Sequence, residues 1–147
     1  MSYCRRMVHA APWRIRRGRV ESRRPPRVHL VDFLDPMADG YAVADLVVSR
    51  AGMITVAELC AWGLPSILVP LPTAAADHQT HNARVLAEAG AALVLPQSEL
   101  HSERLAQAVN QLLSEDGTRG AMANQARARG KPEAAAEIVS NLLTLVR

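Results

Sequence analysis

Short, continuously apolar segments alternate with helical segments along residues 28–147, and this alternation constrains the fold more than any other feature. The clearest apolar run is Ser66-Ile67-Leu68-Val69-Pro70. Further strands are predicted at 28–33, 46–49 and 92–95, and helices at 36–44, 55–62, 77–89, 102–114, 118–129 and 133–146. Apolar strands that alternate with helices are typical of right-handed βαβ units and a parallel sheet. The sequence therefore predicts an α/β fold with a Rossmann-like, doubly wound, mostly parallel sheet.

Composition agrees with one domain that has an aliphatic core. The chain has 147 residues, of which 49% are hydrophobic and only 3% aromatic, so Ala, Val, Leu and Ile must fill the core. Cys4 and Cys60 form no metal-binding spacing and indicate a reducing compartment. The uncharged stretch 59–76 is interrupted by a glycine and three prolines, which predicts a helix end, a strand and a loop rather than a membrane span.

Charge is distributed unevenly and suggests a boundary near residue 27. Residues 1–27 hold nine arginines and the single acid Glu21, whereas residues 28–147 carry a net charge of −5. We expect 1–27 to be a basic, disordered arm and 28–147 to be the folded domain. A phosphate-binding arm and a targeting peptide are the alternatives to a solvated tail without a function of its own.

Several common site motifs are missing from the sequence. It contains no GxGxxG, no GxxxxGK[ST] and no Asp-x-Asp pair that would hold a divalent ion. His78 and His81 are three residues apart on a predicted helix, but two imidazoles without a third ligand are weak evidence for a metal. We therefore expect no metal site.

One segment combines features of an anion site. A strand is predicted to end at Ser49, a turn contains Gly52, and a helix is predicted to begin at Thr55. N–H groups at a helix start suit a diphosphate, and Glu58 could accept hydrogen bonds from a ribose cis-diol. Thr55 and Glu58 also have the spacing of a capping box, which the spacing alone favours.

Other predictions concern helix ends and one loop. Asp35 is expected to be the N-cap of the first helix, Gly63 the left-handed C-cap of the second, and Asp77 the N-cap of the third. Beyond Asp77, the amides of Gln79 and Asn82 could read sugar hydroxyls. The residues alone thus predict a phosphate or nucleotide site of low specificity.

Four motifs in a fixed order resemble one family. They are Ala44-Asp45-Leu46-Val47-Val48-Ser49-Arg50-Ala51-Gly52, Thr55-Val56-Ala57-Glu58, Gly63-Leu64-Pro65 and His78-Gln79-x-x-Asn82-Ala83. From about residue 28 onward the chain is similar to the C-terminal half of the MurG-type transferases, which add N-acetylglucosamine to undecaprenyl-diphosphate-muramoyl-pentapeptide. The resemblance implies a GT-B fold, UDP-N-acetylglucosamine as the donor, no metal cofactor, and peptidoglycan precursor synthesis in the cytoplasm or at the cytoplasmic face of the plasma membrane.

The resemblance also implies roles for individual residues. It places Glu58 on the ribose hydroxyls, which reverses the preference for a cap, and Ile54 and Thr55 near the diphosphate. The remaining implied contacts are Leu34 and Met37 at the uracil, His78 and Gln79 at the donor sugar, Asn82 as a further candidate, and Arg50 in a role that is either substrate binding or structural.

Departures from the family lead to further expectations. The family's domain opens with a strand and a Gly-Gly-Ser-x-Gly turn, which residues 1–27 do not match, so we expect the first βα unit to be lacking. We expect no catalytic residue in this chain and no activity of the chain alone. The expected partners are a UDP-sugar, an acceptor-binding N-terminal domain or chain, and peripherally the membrane, but not nucleic acid. The alternatives are a donor-binding subunit of a two-chain transferase and a non-enzymatic protein that binds through its basic arm.

Overall fold

Strands and helices alternate along the chain in the computed structural model. It describes residues 7–9, 28–31, 33–74 and 77–146, with the backbone alone for 7–9 and 28–30. The elements are β1 (Met7–His9), β2 (Val28–Leu30), α1 (Met37–Val43), β3 (Val47–Ser49), α2 (Met53–Trp62), β4 (Ser66–Leu68), α3 (His78–Glu88), β5 (Leu93–Val94), a 3₁₀ turn (Gln97–Glu99), α4 (Ser102–Ser114), α5 (Asp116–Arg129) and α6 (Ala134–Leu145).

Every described strand pair is parallel. The order β3-β4-β5 forms one hydrogen-bonded group, with Val47 opposite Ser66 and Ile67 opposite Leu93. The second group is β1-β2, and β1 lies beside β3. The spatial order is therefore β2-β1-β3-β4-β5, in which the chain direction across the sheet reverses between β1 and β3. These observations confirm the predicted α/β class and its parallel sheet.

The core is organised around β4, whose three residues are all buried. Ile67 and Leu68 are completely buried, and since they are consecutive in a strand they face opposite sides of the sheet. Ile67 packs with residues of α4 and α5, whereas Leu68 packs with residues of α1, α2 and α3. Burial of each such side chain contributes about 1.5–3 kcal/mol. Helices thus cover both faces of the sheet, as the doubly wound prediction requires.

Helix ends agree only in part with the predictions. Gly63 ends α2 in the left-handed conformation (φ 64°, ψ 43°) as predicted, and its N–H donates to the carbonyl of Cys60 at 3.0 Å. The predicted N-cap Asp35 is wrong, since the N-cap of α1 is Pro36. Its extended backbone suits that position, and its carbonyl accepts from the N–H of Asp39 at 3.2 Å.

The start of the chain requires a second correction. We expected no strand before Val28, but β1 pairs with β2 in parallel. Three residues between arginine-rich stretches are too short to show a hydrophobic period. The predicted strand at 28–33 is also shorter, because Val31 and Phe33 are exposed beyond its end. The rest of the expected arm lies outside the described residues, so its disorder stays a prediction.

Gly130→Ala should destabilise the domain by about 1–3 kcal/mol because of overpacking. A β-carbon at Gly130 would lie 2.6 Å from the backbone carbonyl oxygen of Cys60, which forces α5 away from α2. Gly120→Ala is the matched control, since a β-carbon there meets no atom of the described residues within 4 Å. It should be stabilising by about 0.5–1 kcal/mol. Urea unfolding measures both changes, and equal stability of Gly130→Ala and wild type would contradict the close packing of α2 and α5.

Candidate functional site

A cavity of about 320 Å³ opens at the carboxyl end of β3, between α1 and α2. Ligands of doubly wound sheets bind at the carboxyl ends of the strands, where the strand order reverses, and β3 adjoins that position. Five predicted site residues line the cavity, namely Leu34, Met37, Arg50, Thr55 and Glu58. The other lining residues are Gly40, Tyr41, Ala44, Val47, Val48 and Ser49.

The walls of the cavity differ in chemistry. Helix α1 presents Met37, Gly40, Tyr41 and Ala44, which are three or four residues apart and therefore share one face of the helix. This wall is mainly apolar and suits the flat face of a base. The opposite wall is formed by α2 and carries the carboxylate of Glu58. The cavity can therefore hold a ligand with an aromatic part and a polyhydroxyl part.

The carboxylate of Glu58 has a defined partner inside the protein. The hydroxyl of Tyr41 donates a hydrogen bond to Oε2 of Glu58 at 2.9 Å. Burial raises the pKa of Tyr41 to about 12, and the hydrogen bond to Glu58 and its negative charge act in the same direction. The Tyr41 hydroxyl therefore remains a donor at all physiological pH values.

The residue at which α2 begins shows whether Thr55 and Glu58 form a capping box. The N-cap is Gly52, and Thr55 is the third helical residue rather than the cap. The capping box that the spacing alone favours is therefore absent, because Glu58 lies three residues beyond the third helical position that such a motif needs. The side chain of Glu58 is directed to Tyr41 instead.

The same helix start leaves several backbone N–H groups without a partner within the helix. The first hydrogen bond of α2 runs from the N–H of Val56 to the carbonyl of Gly52 at 2.9 Å. The N–H groups of the first helical residues, Ile54 and Thr55 among them, have no partner within their helix. Ile54 is 76% exposed and does not line the cavity, so its predicted contact with a diphosphate stays a prediction.

Arg50 binds main-chain and side-chain oxygens of the fold. Its Nη1 donates to the carbonyls of Val69 and Pro70 at 3.1 and 3.2 Å and to Oε1 of Gln97 at 2.5 Å. These acceptors follow β4 and β5, whereas Arg50 follows β3. The guanidinium therefore joins the carboxyl ends of three strands, which supports the structural role, while a contact of Arg50 with substrate stays a prediction.

The predicted sugar contacts on α3 do not line the cavity. Oε1 of Gln79 accepts from the N–H of Leu71 at 3.1 Å, and Nδ2 of Asn82 donates to the carbonyl of Ala51 at 3.1 Å. Both amides thus fix neighbouring loops. His78 is exposed at the first position of the helix.

The predicted N-cap of α3 is in the expected position but lacks the expected side-chain hydrogen bond. Asp77 is the N-cap of α3 by position, but it has φ 52° and its side chain makes no capping hydrogen bond.

Tyr41 is the important lining residue that the sequence analysis missed. It lies four residues after Met37 on α1 and is 8% exposed. The spacing of these two residues would have placed them on one helix face. Its partner Glu58 is 17 residues away in the sequence, so no local pattern reveals the pair.

The described part of the chain lacks two other kinds of feature. No group of three or more His, Cys, Asp or Glu side chains could hold a metal ion there. Within the same residues, no helix is long and apolar enough to cross a membrane. Metal independence itself stays a prediction.

Comparison with known proteins identifies the family. Residues 9–138 match the sequence model described as the glycosyltransferase family 28 C-terminal domain. The chain belongs to this family. One relative is the UDP-N-acetylglucosamine--N-acetylmuramyl-(pentapeptide) pyrophosphoryl-undecaprenol N-acetylglucosamine transferase of Pseudomonas putida strain F1. The two sequences are 50% identical over 107 residues, which cover 73% of this chain and 30% of that protein.

Other relatives agree with this assignment of the family 28 domain. A transferase with the same name from Alkalilimnicola ehrlichii is 50% identical over 111 residues, which cover 76% of this chain and 31% of the relative. Acinetobacter baumannii MurG has a similar structure, with a TM-score of 0.71 and 37% identity over 79% of this chain and 35% of that chain. The glycosyltransferase VinC, solved in complex with dTDP, has a TM-score of 0.62 and 26% identity over 79% of this chain and 29% of that chain.

The extent of these matches confirms the resemblance noted in the sequence. The chain spans about 30% of the length of the curated relatives that it matches. Its fold matches part of the MurG structure, as expected for one half of a two-domain GT-B transferase.

Arg50→Ala should destabilise the family 28 domain by about 1–3 kcal/mol, since it leaves main-chain carbonyls without a charged donor. Arg50→Lys should recover only part of this loss, because an ammonium lacks the planar fork of a guanidinium. Arg84→Ala, at an exposed position on α3, is the control and should change stability by less than about 0.5 kcal/mol. Chemical denaturation measures the three variants, and an Arg50→Ala variant as stable as wild type would refute the structural role.

Absorbance titration of the phenols should show a tyrosine with a pKa of about 12, the value to which burial raises the pKa of Tyr41. The chain has two tyrosines, so Tyr41→Phe identifies the step by removing it. A raised pKa means that the neutral phenol stabilises the fold fully below pH 10 and that this contribution is lost as the pH rises from 10 to about 12. A Tyr41 that titrates near pH 10 in the folded chain would contradict the burial of the phenol and its hydrogen bond to Glu58.

Proposed function

We propose that this domain binds UDP-N-acetylglucosamine as the donor-binding half of a transferase that acts on lipid-linked muramoyl-pentapeptide. One observation carries the proposal: the carboxylate of Glu58 lies in a partly apolar cavity beside the N-terminus of α2. A nucleoside diphosphate carries groups that match these features in order: a base for the apolar wall, a ribose cis-diol for the carboxylate and a diphosphate for the helix N-terminus.

The nucleoside part is assigned to the α1 side of the cavity. Leu34 and Met37 supply an apolar surface for the uracil, and the volume is within the usual range for small-ligand sites. Glu58 accepts hydrogen bonds from the ribose hydroxyls. The similarity to VinC, which was solved with dTDP, supports a pyrimidine nucleoside diphosphate, and the names of the curated relatives support UDP-N-acetylglucosamine.

The diphosphate is assigned to the N-terminus of α2. Backbone N–H groups of Ile54 and Thr55, together with the helix dipole, favour negative charge at this position. As the bond to the sugar breaks, negative charge grows on the departing UDP, and donors that are already in place stabilise it. This domain therefore contributes leaving-group stabilisation without a metal ion.

The donor sugar is assigned to the start of α3. Oε1 of Gln79 holds the N–H of Leu71, and the same amide group carries two N–H donors that can reach sugar hydroxyls. His78 is exposed beside it. Asn82, which binds the carbonyl of Ala51, acts by holding the turn before α2 in place.

The acceptor side of the reaction is assigned to a separate domain or chain. Inverting transfer needs a base that deprotonates the attacking hydroxyl, and we propose that the acceptor-binding part of the enzyme supplies it. Helix α6 fits a contact with that part, because it has no buried residue and carries exposed apolar side chains. These are Ile138, Val139, Leu142, Leu143 and Leu145. The lipid-linked acceptor places the complete enzyme at the cytoplasmic face of the membrane.

Glu58→Gln should weaken binding of UDP and of UDP-N-acetylglucosamine by about 10- to 100-fold. The reason is that a hydrogen bond to a charged acceptor contributes about 1.5–3 kcal/mol. Isothermal titration calorimetry of the full chain measures the affinities. Glu137→Gln, which changes an exposed acid on α6, is the control and should bind as wild type does. Equal affinity of wild type and Glu58→Gln, or a folded wild type that binds neither ligand, would overturn the proposed function.

A further inference from the structure

Tyr41 is held from several sides, and its hydroxyl is directed at one atom. Its ring belongs to the buried cluster that includes Leu59, Cys60 and Leu68. The centre of the ring is 6.2 Å from that of Trp62, with an angle of 48° between the two planes. A ring packed in this way cannot easily turn, so the position of its hydroxyl is fixed by the core.

Glu58, by contrast, has a side chain that needs an external restraint. It is only partly buried, and a glutamate side chain that is not held loses considerable rotamer entropy when it is ordered by a ligand. The 2.9 Å bond from the Tyr41 hydroxyl to Oε2 supplies that restraint before any ligand arrives. A carboxylate offers about four acceptor positions, so one donor leaves capacity for a ribose diol.

We propose that Tyr41 is a positioning residue that holds the Glu58 carboxylate in the orientation that receives the ribose hydroxyls. The inference rests on the proposed function and adds to it a specificity-determining residue outside the set that the sequence predicts. Tyr41 also lines the cavity, and the effect of its hydroxyl on the ribose passes through Glu58. The raised pKa of Tyr41 keeps the phenol protonated at physiological pH, so the hydroxyl remains available as a donor to Glu58.

A purely structural role for Tyr41 makes a different prediction. If the ring only filled the core, phenylalanine would replace it without any effect on ribose recognition. If Tyr41 only supported the shape of the cavity, its loss would weaken all ligands alike. The positioning role instead predicts an effect confined to ligands that carry the ribose diol.

The test compares UDP with 2′,3′-dideoxyuridine diphosphate, which lacks the diol, by calorimetry on the full chain. Tyr41→Phe keeps the packed ring and should weaken UDP binding by about three- to tenfold, the range expected for one hydrogen bond. Its affinity for the dideoxy probe should equal that of wild type. In a Glu58→Gln background, Tyr41→Phe should add no further loss, because the two residues act as one unit.

A matched control alters the same aromatic pair without removing the hydroxyl. Trp62→Phe changes the neighbour of the Tyr41 ring and should leave the preference for UDP over the dideoxy probe unchanged. Circular dichroism and the unfolding midpoint establish that both variants are folded.

The possible failures can be told apart. If wild type binds no UDP, the proposed function fails. If Glu58→Gln weakens UDP binding but Tyr41→Phe binds UDP as well as wild type or better, only the positioning role fails. Equal weakening of UDP and of the dideoxy probe by Tyr41→Phe also overturns it and leaves Tyr41 as a packing residue.

Discussion

Burial of β4 on both faces is the constraint on which the rest of the structure depends. Ile67 and Leu68 are completely buried and face opposite helical layers. Their burial fixes the central strand, and the strands on either side of it then run parallel in a defined register. All three strands therefore end at one edge of the sheet, where loops and helix starts collect. The cavity lies at this edge because the core places it there, not because of any motif within it.

That edge is held together by polar contacts of a few side chains. Arg50 joins the carboxyl ends of β3, β4 and the segment after β5, and Asn82 ties α3 to the turn before α2. Main-chain groups in loops lack the regular partners of a sheet, and side chains are one source of the hydrogen bonds that they need. Residues that look like ligand contacts in a sequence can therefore be the ones that shape the site.

The sequence predicts the fold well where the signal is hydrophobic and local. The apolar run at 66–70 is a buried strand, and Gly63 ends α2 in the left-handed conformation. The sequence predicts helix starts and very short strands less well, because a hydrophobic pattern does not mark them. Helix α2 starts at Met53 with Gly52 as its N-cap, two residues before the predicted start at Thr55, and β1 is too short to show a hydrophobic period.

The candidate site is likewise predicted well in some parts and poorly in others. Five of its predicted residues meet in one cavity because they follow strands and begin helices at a common edge. The amides of Gln79 and Asn82 instead bind main-chain atoms, which a residue type cannot reveal. The bond between Tyr41 and Glu58 joins two helices and arises only after folding. Under the proposed function, nucleoside recognition is built into the core, since Tyr41, the hydrogen-bond donor to the Glu58 carboxylate, is itself a core residue. A core substitution that shifts Tyr41 is then expected to alter ligand affinity even where the substituted residue does not itself line the cavity.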